Sequence, residues 1–265
     1  MCKECGCGLG GDDVKIGGHS HEHGHDHGDD HVHGHDHHRE HGHAHGGKTL
    51  NLNRSLLEKN DRLAEQNRGF FRAKKLLVLN VVSSPGSGKT TFIRETAAKL
   101  AGQLRVGVIV GDLATDNDAA RLRTAGVPVV QITTGTVCHL DADMVAKAAA
   151  EMDLDQLDVL VIENVGNLVC PADYDLGEGL RVVLLSVTEG EDKPLKYPPL
   201  FHSAQVAVVT KSDMAAAAGF DRKQALANLQ RVSHHAKIFE LSARTGDGMQ
   251  AWLDFLVKQR TAGGG

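Results

Sequence analysis

At 265 residues, with 41% hydrophobic but only 4% aromatic residues, the chain is long enough for a full core built mainly from Val, Leu, Ile and Ala, as suits a parallel sheet covered by helices. A net charge of -5 gives no basic surface for nucleic acid or an anionic membrane, and no apolar run reaches the roughly 18 residues of a membrane span. The start, Met1-Cys2-Lys3-Glu4-Cys5, lacks the charged-then-apolar pattern of a signal peptide, so a cytoplasmic protein is expected, and its five cysteines read as metal ligands before disulfides.

Cys2, Cys5 and Cys7 form C-x-x-C-x-C, close enough for one loop to wrap a single ion. Thiolates suit borderline and soft metals such as zinc, nickel or copper, with a terminal amine, an amide nitrogen or a histidine as the fourth ligand. Residues 19–45 then carry 13 histidines interleaved with Gly, Asp and Glu. With almost nothing apolar to bury, this stretch is expected to be disordered, and its imidazoles to capture and exchange several ions as a reservoir. The expected organisation is a Cys/His-rich segment over 1–47, a helical connector over 48–75, and one globular domain over 76–265. In the connector, Leu52, Leu56, Leu57, Leu63, Phe70 and Phe71 are expected to form the face that packs on the domain.

Residues 76–82 are an apolar run, 83–90 read Ser-Ser-Pro-Gly-Ser-Gly-Lys-Thr, and a helical pattern follows. Strand, glycine-rich turn and helix in that order are the setting of a phosphate-binding loop. Backbone N–H groups from Gly86 through Ser87 and Gly88 to Lys89 can converge on phosphate oxygens, and the helix N-terminus adds favourable partial charge. Lys89 would reach the outer phosphates, the Thr90 hydroxyl would sit on magnesium, and Thr91 follows in the first turn. Ser83 stands where the usual pattern has its first glycine.

Strands and helices then alternate, which predicts an α/β fold, a P-loop NTPase with a mostly parallel, doubly wound sheet. Residues 106–110 form a strand leading to Asp112, placed either to hold magnesium or to cap the next helix, a role Asp116 or Asp118 can share. Strands follow at 127–133 and 159–162, the second leading into Glu163-Asn164-Val165-Gly166, where nucleotide switches carry an acidic residue and a glycine near the terminal phosphate. Cys138, His139 and Cys170 lie on two strand-end loops and can converge on one metal, although buried cysteines are also common as plain core residues. Further strands at 182–187 and 206–209 precede Thr210-Lys211-Ser212-Asp213, close to the N-K-x-D signature of GTP-binding domains. A carboxylate at Asp213 accepts from guanine N1–H and its exocyclic amine, and adenine has no such donor pair. A last strand at 237–241 ends in Ser242-Ala243, whose N–H groups can meet the guanine oxygen, and a helix over 249–260 closes the domain.

Taken together, these pieces resemble the HypB family of hydrogenase nickel-incorporation GTPases, of the SIMIBI class, over almost the whole chain. Its carriers are Cys2-x-x-Cys5-x-Cys7, the His-rich insert, Ser-Pro-Gly-Ser-Gly-Lys-Thr, the Gly-Asp-x-x-Thr-x-x-Asp run from Gly111, Cys138-His139, and Glu-Asn-Val-Gly-Asn-Leu-Val-Cys-Pro from Glu163. The resemblance implies a metallochaperone that hydrolyses GTP to GDP with Mg2+ and helps deliver nickel to the large subunit of nickel-iron hydrogenase. It implies a high-affinity nickel site at the N-terminal cysteines and a nickel or zinc site at Cys138, His139 and Cys170. It further implies catalytic or magnesium roles for Lys89, Thr90, Asp112 and Glu163, nucleotide-dependent homodimerisation, and a second nickel-binding maturation protein as partner. Slow intrinsic hydrolysis is expected, because the motifs offer no evident arginine finger or water-positioning glutamine. The rival readings are a urease-accessory type GTPase and a nickel or zinc storage protein with a regulatory nucleotide domain.

Overall fold

The Val/Ile/Leu runs of this chain bury both of their faces, which is what a strand in the middle of a helix-covered parallel sheet requires. The computed structural model describes residues 15–16, 45–113 and 117–262, with side chains from residue 54 onward. Cys2, Cys5, Cys7 and Asp116 lie outside the described residues, as do all the tract histidines except His45. In chain order the elements are β1 (Lys15–Ile16), α1 (His45–Ala73), β2 (Leu77–Val82), α2 (Lys89–Leu100), β3 (Val106–Asp112), α3 (Asn117–Thr124), β4 (Val129–Thr133), α4 (Ala142–Ala150) and β5 (Val159–Glu163). They continue with β6 (Leu180–Ser186), α5 (Lys193–Lys196), α6 (Pro198–Ser203), β7 (Val206–Thr210), α7 (Arg222–Val232), β8 (Lys237–Glu240) and α8 (Met249–Ala262).

The sheet runs β1-β4-β3-β5-β2-β6-β7-β8. The seven strands β2 to β8 pair in parallel, and the two-residue β1 adds an antiparallel edge on β4. This is the expected doubly wound sheet with flanking helices, and β2 stands at its centre between β5 and β6. Side chains alternate along each strand. Leu79, Val81, Val108, Val110, Val182 and Val208 face α2, α3 and α8, where Trp252 is fully buried against Phe92 and donates its indole N–H to Thr96 Oγ1. On the other face, Val78, Ile109, Leu160 and Ile162 pack under α1 and α4, and Val82, Val183, Leu185 and Val209 under α6 and α7.

Between those last two clusters lies Asn80, a wholly buried polar residue in mid-strand. Its Oδ1 accepts from Asn164 Nδ2 and its Nδ2 donates to Glu178 Oε1, which also accepts from Arg181 Nε. Every polar group of this seam has a partner, as a buried network requires.

Helix α1 covers the connector, but its inward face differs from the expected one. Leu56 and Phe70 are exposed, and the buried stripe is Asn60, Ala64, Asn67 and Phe71. The two asparagines make the difference. Asn60 Oδ1 accepts from the Ala142 N–H at the start of α4, and Asn67 Nδ2 donates to the Ala142 and Leu176 carbonyls. An amide serves there because the surface it meets is backbone, not side chain.

Candidate nucleotide and metal site

The described nucleotide and metal residues that the sequence put forward from Ser83 onward lie in the loops and helix starts at the carboxyl ends of the parallel strands. Between β2 and α2, Gly86 and Gly88 adopt φ of 72° and 96°, which only glycine tolerates without strain. The loop is closed around its lysine: Lys89 Nζ donates to Ser83 Oγ (3.1 Å) and to the Ser84 carbonyl (3.4 Å), and Ser83 Oγ also meets Ser87 Oγ. The residue that departs from the usual glycine is thus a buried hydroxyl that holds the lysine. Burial pulls the Lys89 ammonium below its ordinary pKa, opposed chiefly by Glu163.

A cavity of about 300 Å³ opens over this loop, lined by Gly86, Lys89, Thr90, Asp112, Arg121 and Glu163 among others. Thr90 Oγ1 donates to Glu163 Oε1 at 2.7 Å. Glu163 is 3% exposed, its Oε2 is buried without a partner, and burial pushes its carboxyl up to about 7 despite Thr90 and Lys89. Asp112 closes β3 and accepts from the Leu113 N–H (2.8 Å), so it bonds the chain beyond its strand and faces the cavity as well. A hydroxyl and two carboxylates, one of them with an oxygen left without a partner, are an oxygen-rich set that suits magnesium. Arg121, on α3, was not singled out from the sequence: its guanidinium pairs with Asp118 and lines the same cavity. Only the i,i+3 spacing from Asp118 could have drawn attention to it.

At the end of β7, Thr210 Oγ1 donates to the Ser87 carbonyl (3.1 Å), and Lys211, at φ 57°, donates from Nζ to the Gly86 carbonyl (2.7 Å). A threonine where the N-K-x-D signature has asparagine therefore still ties this loop to the phosphate loop. Asp213 accepts from Ser242 Oγ (2.6 Å) and from Arg244 Nε (3.0 Å), and the Ser242 bond first, then Arg244, holds its carboxyl below the ordinary range. Ser242 is buried and Ala243 half-buried beside it. Lys211, Asp213, Ser242 and Ala243 thus form one cluster, which Arg244, unremarked in the sequence, completes.

The loops after β4 and β5 bring Cys138, His139 and Cys170 together, with one donor atom from each within 4.8 Å of the others. Cys138 Sγ and Cys170 Sγ are 2.9 Å apart, beyond a disulfide and close enough to share an ion. His139 is buried, stacks on Tyr174 with centroids 3.8 Å apart, and leaves Nδ1 without a hydrogen-bond partner. Burial holds its imidazole below the ordinary pKa, against Asp141 and Asp173, which keeps the ring in the neutral form that ligates metals. Two sulfurs and one nitrogen suit nickel or zinc and leave positions for further ligands.

One segment joins the two regions. From Glu163 the chain passes Gly166, where an added Cβ would stand 3.0 Å from Pro85 Cα in the phosphate loop. Asn164 Oδ1 accepts from the Leu140 N–H (3.3 Å), next to His139, and Asn167 Nδ2 donates to the Cys138 carbonyl (3.3 Å). The segment ends at Cys170.

A parallel sheet with a glycine-rich loop closed on a lysine, and a threonine and carboxylate beside it, defines a P-loop nucleotide-binding protein. Residues 77–240 match the family model described as CobW/HypB/UreG, nucleotide-binding domain. Hydrogenase maturation factor HypB of Escherichia coli (strain K12) is 50% identical over 215 residues, 81% of this chain and 74% of its own. That of Azotobacter vinelandii is 50% identical over 213 residues, 80% of this chain and 70% of its own. The crystal structure of HypB from Helicobacter pylori in complex with nickel superposes with a TM-score of 0.73 at 41% identity, covering 77% of this chain and 96% of that one. The chain belongs to the HypB family of hydrogenase maturation factors. Among the described residues no helix is long and apolar enough to cross a membrane.

Proposed function

We propose that this chain is a GTP-hydrolysing nickel metallochaperone that supplies nickel to the large subunit of nickel-iron hydrogenase, with its nucleotide state coupled to metal binding and to homodimerisation. The observation that carries the proposal is the segment 163–170, which begins on the Thr90 hydroxyl and ends on the thiol pair. A change at Glu163 is thereby transmitted through Asn164 and Asn167 to the loop that holds Cys138 and His139.

In this reading Gly86, Ser87, Gly88, Lys89, Thr90 and Thr91 hold the phosphates, and Lys211, Asp213, Ser242 and Ala243 hold guanine. Thr90, Asp112 and Glu163 hold Mg2+, which when bound neutralises charge on the outer phosphates. Nickel is the cargo, bound at Cys138, His139 and Cys170, where zinc is an alternative occupant, and at Cys2, Cys5 and Cys7, with the His-rich tract as a store. The partners are a second nickel-binding maturation protein and the hydrogenase large-subunit precursor, in the cytoplasm. Support comes from the family and from the nickel complex of the Helicobacter pylori relative. Coupling of this kind is reciprocal: whatever nucleotide does to metal affinity, metal does to nucleotide affinity.

The test is a nickel titration of the full chain with GDP and with a non-hydrolysable GTP analogue, read together with oligomeric state, for wild type, Lys89→Ala and Cys170→Ser. The expected result is a nucleotide-dependent nickel affinity that both substitutions abolish. Nickel binding identical with the two nucleotides would overturn the coupling.

A further inference from the structure

Of the five cysteines only Cys138 and Cys170 lie beyond residue 7, and they are 32 residues apart in sequence. Their sulfurs are not joined, yet they stand 2.9 Å from each other. Two thiolates on one tetrahedral ion, at about 2.3 Å each, lie about 3.8 Å apart, and the sulfurs of a disulfide lie about 2.05 Å apart. The pair therefore stands midway between those two arrangements, about 0.9 Å from either. A geometry that offers both sulfurs to a metal offers them equally to each other.

The backbone holds this pairing ready. One side-chain amide spans the two loops: Asn167 Nδ2 donates to the Cys138 carbonyl (3.3 Å), and its Oδ1 accepts from the N–H of Val169, next to Cys170 (2.8 Å). The turn that follows is closed by the Ala172 N–H on the Val169 carbonyl (3.1 Å) and the Asp173 N–H on the Cys170 carbonyl (3.3 Å). Both cysteines are half-buried, so a small solute reaches them, whereas their neighbour His139 is buried.

We infer that Cys138 and Cys170 are a reversible disulfide site, which closes in the metal-free protein by exchange with a low-molecular-weight disulfide such as oxidised glutathione. One thiolate attacks a sulfur of oxidised glutathione, forming a mixed disulfide and releasing one reduced glutathione. The second thiolate attacks the protein sulfur of that mixed disulfide, forms the Cys138–Cys170 bond and releases another. Two electrons and two thiol protons pass from the protein to glutathione. Because the same two sulfurs serve both purposes, the disulfide and a metal at Cys138, His139 and Cys170 exclude each other, a consequence that rests on the metal reading above. The bond also fixes the far end of the segment that starts at Glu163, so oxidation ties down the part of the chain that joins the nucleotide cavity to the thiols.

The test incubates metal-free, full-length protein with oxidised glutathione, blocks remaining thiols with N-ethylmaleimide, and maps tryptic peptides by mass spectrometry. Cleavage at Lys147 separates the two cysteines, and Lys15 ends the peptides that carry Cys5 and Cys7, so every pairing is distinguishable. In the folded protein the linked 138–170 pair should exceed both glutathione adducts at these residues and links to Cys2, Cys5 or Cys7 by tenfold or more. Dithiothreitol should reverse it, the chain unfolded in urea should give a mixture, and Cys170→Ser should leave Cys138 as the glutathione adduct. Saturating Ni2+ or Zn2+ should slow the link by fivefold or more. The inference fails if the folded, metal-free protein carries mainly glutathione adducts at Cys138 and Cys170, or leaves both unmodified while Cys2, Cys5 and Cys7 oxidise. A link that forms equally fast with saturating metal upholds the disulfide and overturns the shared metal site instead.

Discussion

Replacing Glu163 by glutamine should make the nucleotide-free protein more stable at pH 8 and remove a pH dependence that wild type shows. The Glu163 carboxyl titrates at about 7 rather than its ordinary 4.5, because burial outweighs the Thr90 hydrogen bond and the Lys89 charge. Between those two values the folded protein holds a proton that the unfolded chain has released, so unfolding free energy falls as pH rises through the window and levels off above it. At about 1.4 kcal/mol per pH unit, wild type should lose on the order of 2–3 kcal/mol from this group between pH 5 and pH 8. Glu163→Gln keeps the shape and an acceptor for Thr90 but cannot ionise. Urea denaturation of both proteins at pH 5 and pH 8, in chelator and without nucleotide, isolates the group as a double difference in which the tract histidines cancel. Magnesium and nucleotide should shrink that double difference, since in the proposed magnesium site a cation takes the place of the proton. A double difference below about 0.5 kcal/mol would refute the claim that the carboxylate is desolvated and uncompensated in the empty site.

Lys89→Ala removes the cation that the phosphate loop closes on, and should weaken triphosphate binding by tenfold or more, about 1.5–3 kcal/mol for a charged hydrogen bond, read by calorimetry. In the proposed guanine site, Asp213→Asn would set an amide against the guanine donors, and should cut GTP affinity by roughly 10–100-fold while leaving the Thr210 and Lys211 tethers in place, measured by nucleotide competition. Gly166→Ala presses a methyl on Pro85 and should cost about 1–3 kcal/mol in stability, with weaker nucleotide binding in the same titration. Cys170→Ser should lower nickel or zinc stoichiometry by the one site it shares with Cys138 and His139, counted by metal analysis after dialysis.

Much of the fold was legible because burial of a central strand writes itself as a run rich in Val, Ile and Leu, and the parallel strands lie where the sequence placed them, the edge strand β8 (Lys-Ile-Phe-Glu) on the weakest such signal. The phosphate loop, the Asp213 cluster and the Cys138–Cys170 pair were legible too, since each depends on residue types with few substitutes. What remained hidden depended on partners distant in sequence. The packing face of α1 turns on Asn60 and Asn67, whose value comes from carbonyls at 142, 175 and 176 and not from their own polarity. Ser83 looked like a missing glycine until Lys89 was seen to rest on its hydroxyl. Arg121 and Arg244 carry no local motif, and only the folded chain sets one at the cavity and the other on Asp213.

The seam at Asn80 bears on how the sheet finds its alignment. β2 is the central strand, and its neighbours are apolar enough that shifts by one residue would cost little in buried area alone. Such a shift would turn Asn80 toward α2 and α8, away from Asn164 and Glu178, and strand an amide among Val, Leu and Phe, at a cost of about 1–3 kcal/mol. One buried asparagine thus acts as the key for the register of the strand that delivers the phosphate loop.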